Sequence, residues 1–267
     1  MSSVLHAALL GVVQGLTEFL PISSTAHLLV GQRLLGYVDP GSAFTEMIQL
    51  GSILAVMWLY RTRIVEVARG LPSSPDARRF ALIVVAGFLP AMVVGALAAD
   101  YVEGVLHQNP QVIAAAFVIG GIVMLLVERF RVRSIVSEAG RIPVARAIGV
   151  GIFQTMALIP GVSRSGATIV GGLLLGLDRR AAVEFSFFLA MPTMVGAFVY
   201  KLVDIRHSLV PGQALEIAVG FVMAFFAALV VVKPFLNSVG RSGFAPYAWY
   251  RIVAGLAIAG GVAAGRL

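Results

Sequence analysis

Thr17-Glu18-Phe19-Leu20-Pro21-Ile22-Ser23-Ser24-Thr25-Ala26-His27 and Pro160-Gly161-Val162-Ser163-Arg164-Ser165-Gly166-Ala167-Thr168 each cut an apolar stretch, 4–38 and 147–177 respectively, at its middle. Either side of each cut holds a helix of roughly a dozen residues, which rises about 18 Å and cannot cross a hydrocarbon core of about 30 Å. Each stretch therefore reads as two half-helices around a polar tip that enter and leave the membrane by one face. Sliding the chain by 140 residues superimposes the two stretches without a gap: Gly11/Gly151, Gln14/Gln154, Ser23/Ser163, Val30/Val170, Gly31/Gly171, Leu34/Leu174, Leu35/Leu175 and Gly36/Gly176 are identical pairs. The chain reads as a duplication, with repeats at about 1–127 and 141–264 in a single integral membrane domain over 1–267.

Outward from the tips, the segments near 43–60, 80–99, 112–127, 181–203, 214–232 and 247–264 are apolar enough to cross a bilayer. Three crossings per half is an odd number, so the second half is expected upside down relative to the first. Broken helices in such inverted repeats meet near the midplane and carry the site. The expected fold is an all-α polytopic membrane protein, an inverted-topology repeat with six transmembrane helices and two re-entrant helix pairs. Composition agrees: 59% of the 267 residues are hydrophobic and only 12% charged, which excludes a water-soluble globule.

Charge sets the orientation. Arg61, Arg63, Arg69, Arg78 and Arg79 fill the 61–79 loop, and Arg129, Arg131, Arg133, Arg141 and Arg146 the 128–146 segment, while 100–111 has no basic Lys or Arg. The two basic segments are expected in the cytoplasm, which places both termini outside. The +7 net charge comes with no basic amphipathic stripe and reads as topology and phosphate chemistry, with no nucleic-acid partner. The chain has no cysteine, so disulfides and thiolate metal sites are excluded. The first Arg or Lys is Arg33, so the first apolar stretch lacks the charged start of a cleavable signal and is expected to stay.

The tips hold the chemistry. Glu18 lies one turn after Gln14 on one helix face, and a carboxylate in lipid is costly enough to be a functional candidate, acting on substrate or metal, or else bonding the Ser-rich tip. Ser23, Ser24 and Thr25 follow Pro21 at a helix start, where hydroxyls cap free N–H groups. His27 is three residues after Ser24, a spacing that suits a nucleophile and its base. In the second tip, Gly161 and Gly166 bracket Ser163, Arg164 and Ser165, and Thr168 follows before an apolar run. Flexible backbone, hydroxyls, a guanidinium and a helix N-terminus make an anion cradle. Arg164 at that depth needs either Glu18 or a ligand phosphate to neutralise it. Glu46, Gln49, Ser52, Glu184 and Ser186 are supporting polar positions, for the tips or for packing between helices; His6, His107 and His207 have no evident partner. Pro90 and Pro192 are expected to kink their spans.

Gln14 through His27 and Pro160 through Thr168, together with Glu46-Met47-Ile48-Gln49-Leu50-Gly51-Ser52 and Glu184-Phe185-Ser186-Phe187, resemble the signature motifs of the bacterial undecaprenyl-diphosphate phosphatase family associated with bacitracin resistance. The resemblance spans nearly the whole length. It implies a multi-pass protein of the bacterial plasma (inner) membrane that hydrolyses undecaprenyl diphosphate to the monophosphate, recycling the carrier for cell-wall synthesis. It further implies an active site open to the outer, periplasmic face and a divalent cation, Mg2+ or Ca2+. Position by position, it places the acidic motif on Gln14 and Glu18, the Ser-His pair on Ser24 and His27, and the phosphate loop on Ser163, Arg164, Ser165 and Thr168; Gly166 is expected to join the phosphate-binding loop, with Gln14, Ser23, Thr25, Gln49 and Glu184 as supporting residues. Many members have Glu where this chain has Gln14, so Glu18 alone supplies charge to a metal and Gln14 a neutral oxygen. Ser24 is the candidate nucleophile with His27 as base, and direct attack by water stands beside it. The expected partners are the polyprenyl diphosphate and membrane lipids, with homodimerisation left open. The alternative is a secondary transporter or flippase for a polyprenyl phosphate or other anion, since inverted repeats with broken midplane helices are transporter architecture.

Overall fold

A computed structural model describes residues 3–39, 42–101, 109–130, 134–208 and 213–265, so Arg131, Arg133 and His107 lie outside the described residues. The helices are α1 (Ser3–Thr17), α2 (Ser24–Leu35), α3 (Ala43–Leu59), α4 (Arg61–Gly70), α5 (Pro75–Tyr101), α6 (Pro110–Arg129), α7 (Val144–Thr155), α8 (Arg164–Leu174), α9 (Arg179–Ser208), α10 (Ala214–Ser242) and α11 (Ala245–Ala263). Among the described residues there is no strand, only an isolated parallel bridge between Val136 and Leu177. This is an all-α, multi-pass membrane protein.

The four helices beside the tips are short, as the interruptions require: α1 has 15 residues, α2 and α7 have 12 each, and α8 has 11. At about 1.5 Å per residue none spans the hydrocarbon core. Each pair folds back on itself, α1 against α2 and α7 against α8. Their C-terminal stops are chemically the same. Gly36 sits at φ 61° and Gly176 at φ 81°, backbone that favours glycine. The following N–H groups return to helix carbonyls at matching positions, Tyr37 to Gln32 at 2.9 Å and Leu177 to Gly172 at 2.9 Å.

Four helices, α5, α6, α9 and α10, are long and apolar enough to cross a membrane, and a fifth span is formed if α3 and α4 count as one, although they bend by 72° at Tyr60. Of the six expected crossings, 43–60 is therefore a 17-residue helix that continues, bent, into the basic segment. The crossing at 247–264 is α11, whose 19 residues suffice in length but whose apolar run is diluted by Arg251 and three aromatic residues in its first half. Segment 61–70, expected as loop, is helix α4 with none of its residues buried. Pro90 and Pro192 stay inside continuous helices. Helix α10 runs to Ser242, ten residues past its apolar run, so Lys233 and Arg241 lie within it.

Close helix contacts recur in pairs. A Cβ on Gly11 would lie 2.3 Å from the Gly220 carbonyl oxygen, and one on Gly151 would lie 2.2 Å from that of Gly87. Likewise Gly121 abuts the Ala248 carbonyl and Gly255 that of Ala114. Thus α1 packs on α10 as α7 packs on α5, while α6 and α11 pack on each other. Backbones approach this closely only across glycine, which is how helices associate where lipid offers no hydrophobic drive. Helix α9 is the central element: 56% of its apolar window is buried, against 22% to 28% for the other three long helices, and it packs on α3, α5, α8 and α10. Large apolar side chains such as Leu97 (84% exposed) and Val230 (70%) face outward, where lipid covers them. At one end the two basic segments meet, the Arg79 guanidinium donating to the Arg141 carbonyl at 3.4 Å.

Replacing Gly151 or Gly11 by Ala is expected to destabilise the helix contact by about 1–3 kcal/mol, read as a Tm lowered by several degrees in detergent. Gly240→Ala, where a Cβ meets nothing within 4 Å, is expected to leave Tm unchanged or raise it slightly.

Candidate active site

The interrupted backbone brings the tips together. Ser23 and Ser163, twins at a separation of 140 residues, are the residues before α2 and α8, and both hold left-handed backbone, φ 65° and φ 70°. Such a conformation is costly for serine and persists where surroundings over-determine it. Ser163 is held by its side chain, which accepts from the Gly166 N–H at 3.1 Å, while Ser23 makes no side-chain cap.

Glu18 is the hub. Its Oε1 accepts from Arg164 Nη2 at 2.9 Å, and its Oε2 accepts from Gln14 Nε2 at 2.9 Å and from the Ser24 hydroxyl. The Glu18 and Arg164 side chains are 8% and 12% exposed. A charge buried this far needs its partner and its hydrogen bonds. Arg164 also donates to the Ser186 carbonyl at 3.3 Å and lies 5.9 Å over the Phe19 ring. So Glu18 neutralises Arg164 across the boundary between the two tips.

Beside this pair is a cavity of about 220 Å3 whose wall mixes polar side chains with apolar ones such as Ala91, Leu158 and Ala197. Glu18, Ser23, Ser24 and Thr25 line it from the first tip, Gly161, Ser163 and Arg164 from the second, Gln49 from α3, Gln154 from α7, and Thr193 and Met194 from α9. Thr193 donates its hydroxyl to the Leu189 carbonyl and so accepts from Gln154 Nε2 at 3.2 Å, leaving the buried Gln154 Oε1 without a partner. Gln14 Oε1 is likewise buried and unpaired. Orphaned acceptors at a site call for a proton donor or a cation.

Several expected positions turn out differently. Ser24 and His27 do not form a nucleophile–base pair. Nδ1–H of His27 donates to the Ser23 carbonyl at 2.7 Å, which leaves Nε2 to accept from the Tyr250 hydroxyl at 2.6 Å, while Ser24 is turned to Glu18. The spacing puts His27 and Ser24 on one side of the helix, but the buried carboxylate is the stronger acceptor for the hydroxyl. Of the five residues expected as the phosphate loop, Ser163 and Arg164 line the cavity. Ser165 is fully buried and donates to the Leu20 carbonyl of the first tip at 2.8 Å, and Ser163 in turn donates to Ser165. Thr168 spends its proton on a carbonyl of its own helix and accepts from Ser186 at 2.6 Å. Gly166 serves the cap. Because α8 begins at Arg164, residues 165, 166 and 168 fall on faces that build the tip and do not line the cavity.

Glu184 is remote from the cavity: it accepts from Arg180 at 3.1 Å, and it lies ten residues, about 15 Å, before the cavity-lining Met194 on α9. Gln49 and Thr25 do line the cavity, while Ser52 donates back to the Ile48 carbonyl. Among the described residues no three His, Asp or Glu side chains converge as a metal centre.

Two residues beside the site lie outside the sequence motifs. Tyr250, which holds His27, carries no sequence signal. Arg251, 1% exposed, does, because an arginine inside an apolar span is itself a functional flag.

Residues 7–257 match the family described as bacitracin resistance protein BacA. The chain belongs to this family. Among its relatives in the BacA family are undecaprenyl-diphosphatase 1 of Agrobacterium fabrum, 50% identical over 95% of this chain and 94% of the relative, and the undecaprenyl-diphosphatases of Paracoccus denitrificans, 48% identical over 94% of each, and Cereibacter sphaeroides, 47% identical over 95% of each. The match takes in both tips and every cavity-lining residue of this BacA chain.

Removing one member of the buried pair leaves the other uncompensated, so Arg164→Met and Glu18→Gln are each expected to cost about 3–5 kcal/mol. The double variant should lose less than the sum of the singles, because no lone charge remains. Thermal unfolding of the four proteins as a double-mutant cycle measures the coupling.

Proposed function

We propose that this chain is a membrane phosphatase that hydrolyses undecaprenyl diphosphate to undecaprenyl phosphate and inorganic phosphate, in the recycling of the cell-wall lipid carrier and in bacitracin resistance. The observation that carries the reading is the line Arg164–Glu18–Ser24 along the wall of a cavity between two broken helices. A guanidinium suits a phosphate, and a hydroxyl hydrogen-bonded to a carboxylate is a nucleophile with its base. The names of the relatives supply the substrate. At about 220 Å3 the cavity is smaller than the roughly 300–1,000 Å3 sites that enclose drug-sized ligands, which suits a diphosphate headgroup whose C55 tail stays in lipid.

In this reading the terminal phosphate takes Arg164 from Glu18. Ser24 Oγ then attacks the phosphorus as its proton passes to Glu18 Oε2, and the bridging P–O bond breaks to release undecaprenyl phosphate. Water cleaves the phosphoseryl ester, inorganic phosphate leaves, and Ser24 regains its proton. Arg164 carries the main burden of stabilising the charge on the transferred oxygens. His27 keeps the Ser23 turn in place through its carbonyl. A Mg2+ or Ca2+ ion fits the donor set only in part: Glu18 and the orphaned Gln14 Oε1 would hold it, with phosphate and water completing the shell. Bound there, the ion would supply further neutralisation of phosphate charge.

The halves, about 1–127 and 141–264, are read as inverted repeats, which the paired glycine contacts and twin serines support. The membrane is read as the bacterial inner membrane, with both termini outside and the cavity open to the outer face. Arg78 and Arg79 lie near the start of α5 and Arg179 and Arg180 open α9, and the cavity-lining Ala91 and Ala197 lie 12 and 17 residues, about 18 and 26 Å, beyond Arg79 and Arg180 along those helices. If the arginines are cytoplasmic, the cavity is on the other side.

Purified protein in detergent is expected to release phosphate from undecaprenyl diphosphate. Glu18→Gln, Ser24→Ala and Arg164→Ala should each lower kcat by about 10²–10³, and acid quench should trap a phosphoryl group on Ser24. An active Ser24→Ala without a trapped species moves the attack to water. Equal activity of all the variants removes the site, and absence of release by the wild type removes the function.

A further inference from the structure

Arg251 carries a charge that the phosphatase chemistry above does not use. It is 1% exposed, and among the described residues its hydrogen bonds all go to carbonyl oxygens. Nη1 donates to Pro21 and Val162, both at 3.2 Å, and Nη2 donates to Ala116 and Gly161, both at 2.9 Å. Pro21 is the turn of the first tip, Gly161 and Val162 are the turn of the second, and Ala116 belongs to α6. The guanidinium lies 5.0 Å over the Phe117 ring, in a space that exists because residue 120 is glycine: a Cβ there would come within 2.3 Å of Nη2.

Carbonyls freed where a helix breaks in an apolar interior must find donors. A planar fork with its N–H bonds in fixed directions meets carbonyls from three separate segments at once, whereas an ammonium has three donors around one point. The neighbouring Tyr250 holds the same first tip through His27 Nε2.

We propose that Arg251 is a positioning residue for the phosphatase site, clamping the two broken-helix turns to each other so that Glu18, three residues before Pro21, faces Arg164, two residues after Val162. This rests on the function proposed above, but the clamp can be read without it. The chain is free of cysteine, so spin labels at Leu16→Cys and Met156→Cys, both on partly exposed positions flanking the tips, report the distance between them. Two variants break the clamp differently: Arg251→Lys keeps the charge and loses the fork, and Gly120→Ala keeps Arg251 but displaces it without touching the cavity.

In the parent a single narrow distance distribution is expected. Both variants should broaden it and lower kcat for phosphate release about 100-fold, with KM changed by less than tenfold. An unchanged distribution or an unchanged kcat in either variant overturns the proposal. Loss of the helical circular-dichroism signal in both variants also overturns it, since Arg251 is then a determinant of folding and not of register. If the parent releases no phosphate, the phosphatase reading fails, and the distance distributions alone decide the clamp.

Discussion

A helix that breaks inside lipid strips its turn of the hydrogen bonds that the helix supplied, and water is not there to replace them. Everything at the centre of this BacA-family protein answers that constraint. Ser165 of the second tip donates to the Leu20 carbonyl of the first, Arg251 donates to carbonyls of both, and the carboxylate of one meets the guanidinium of the other. Neither tip is satisfied by its own residues. Each completes the other, so the site and the junction between the halves are one structure.

That dependence explains why polar side chains gather at the pocket while the surface is apolar. Outward faces carry large apolar side chains, and close approach is left to glycine against carbonyl. The central helix α9 lies behind the second tip, where Ser186 bonds Thr168 and its carbonyl accepts from Arg164. A ligand that took Arg164 from Glu18 would find a carboxylate already bonded to Ser24 and Gln14 and so held in place. Such preorganisation lets a small site exert a large electrostatic effect.

Much of this is legible in the sequence. The two interruptions, the half-helices too short to cross, the Gln14–Glu18 turn and the buried arginine all follow from spacing and from the cost of charge in lipid. Gln14 does bond Glu18, and Arg164 does meet it. The span count was less secure, because α3 is short and bends into α4, and α11 dilutes its apolar run with Arg251.

Hydroxyl and imidazole partners were another matter. Spacing places Ser24 and His27 on one helix face, yet rotation about one side-chain bond decides whether the hydroxyl meets an imidazole or a carboxylate six residues away. Ser165 and Thr168 share a motif with Arg164, yet with α8 starting at Arg164 their hydroxyls turn to Leu20, to the helix backbone and to Ser186, away from the cavity. Arg251 lies 230 residues from Pro21 and 90 from Gly161, so no local pattern connects them. Hydropathy and charge along one chain dictated the class of fold, the breaks and the main ionic pair, because lipid penalises polarity residue by residue. Which hydroxyls face the cavity, what each nitrogen of His27 bonds and what binds the tips together were settled only by packing between distant segments, since a hydrogen bond is a matter of direction as well as of identity.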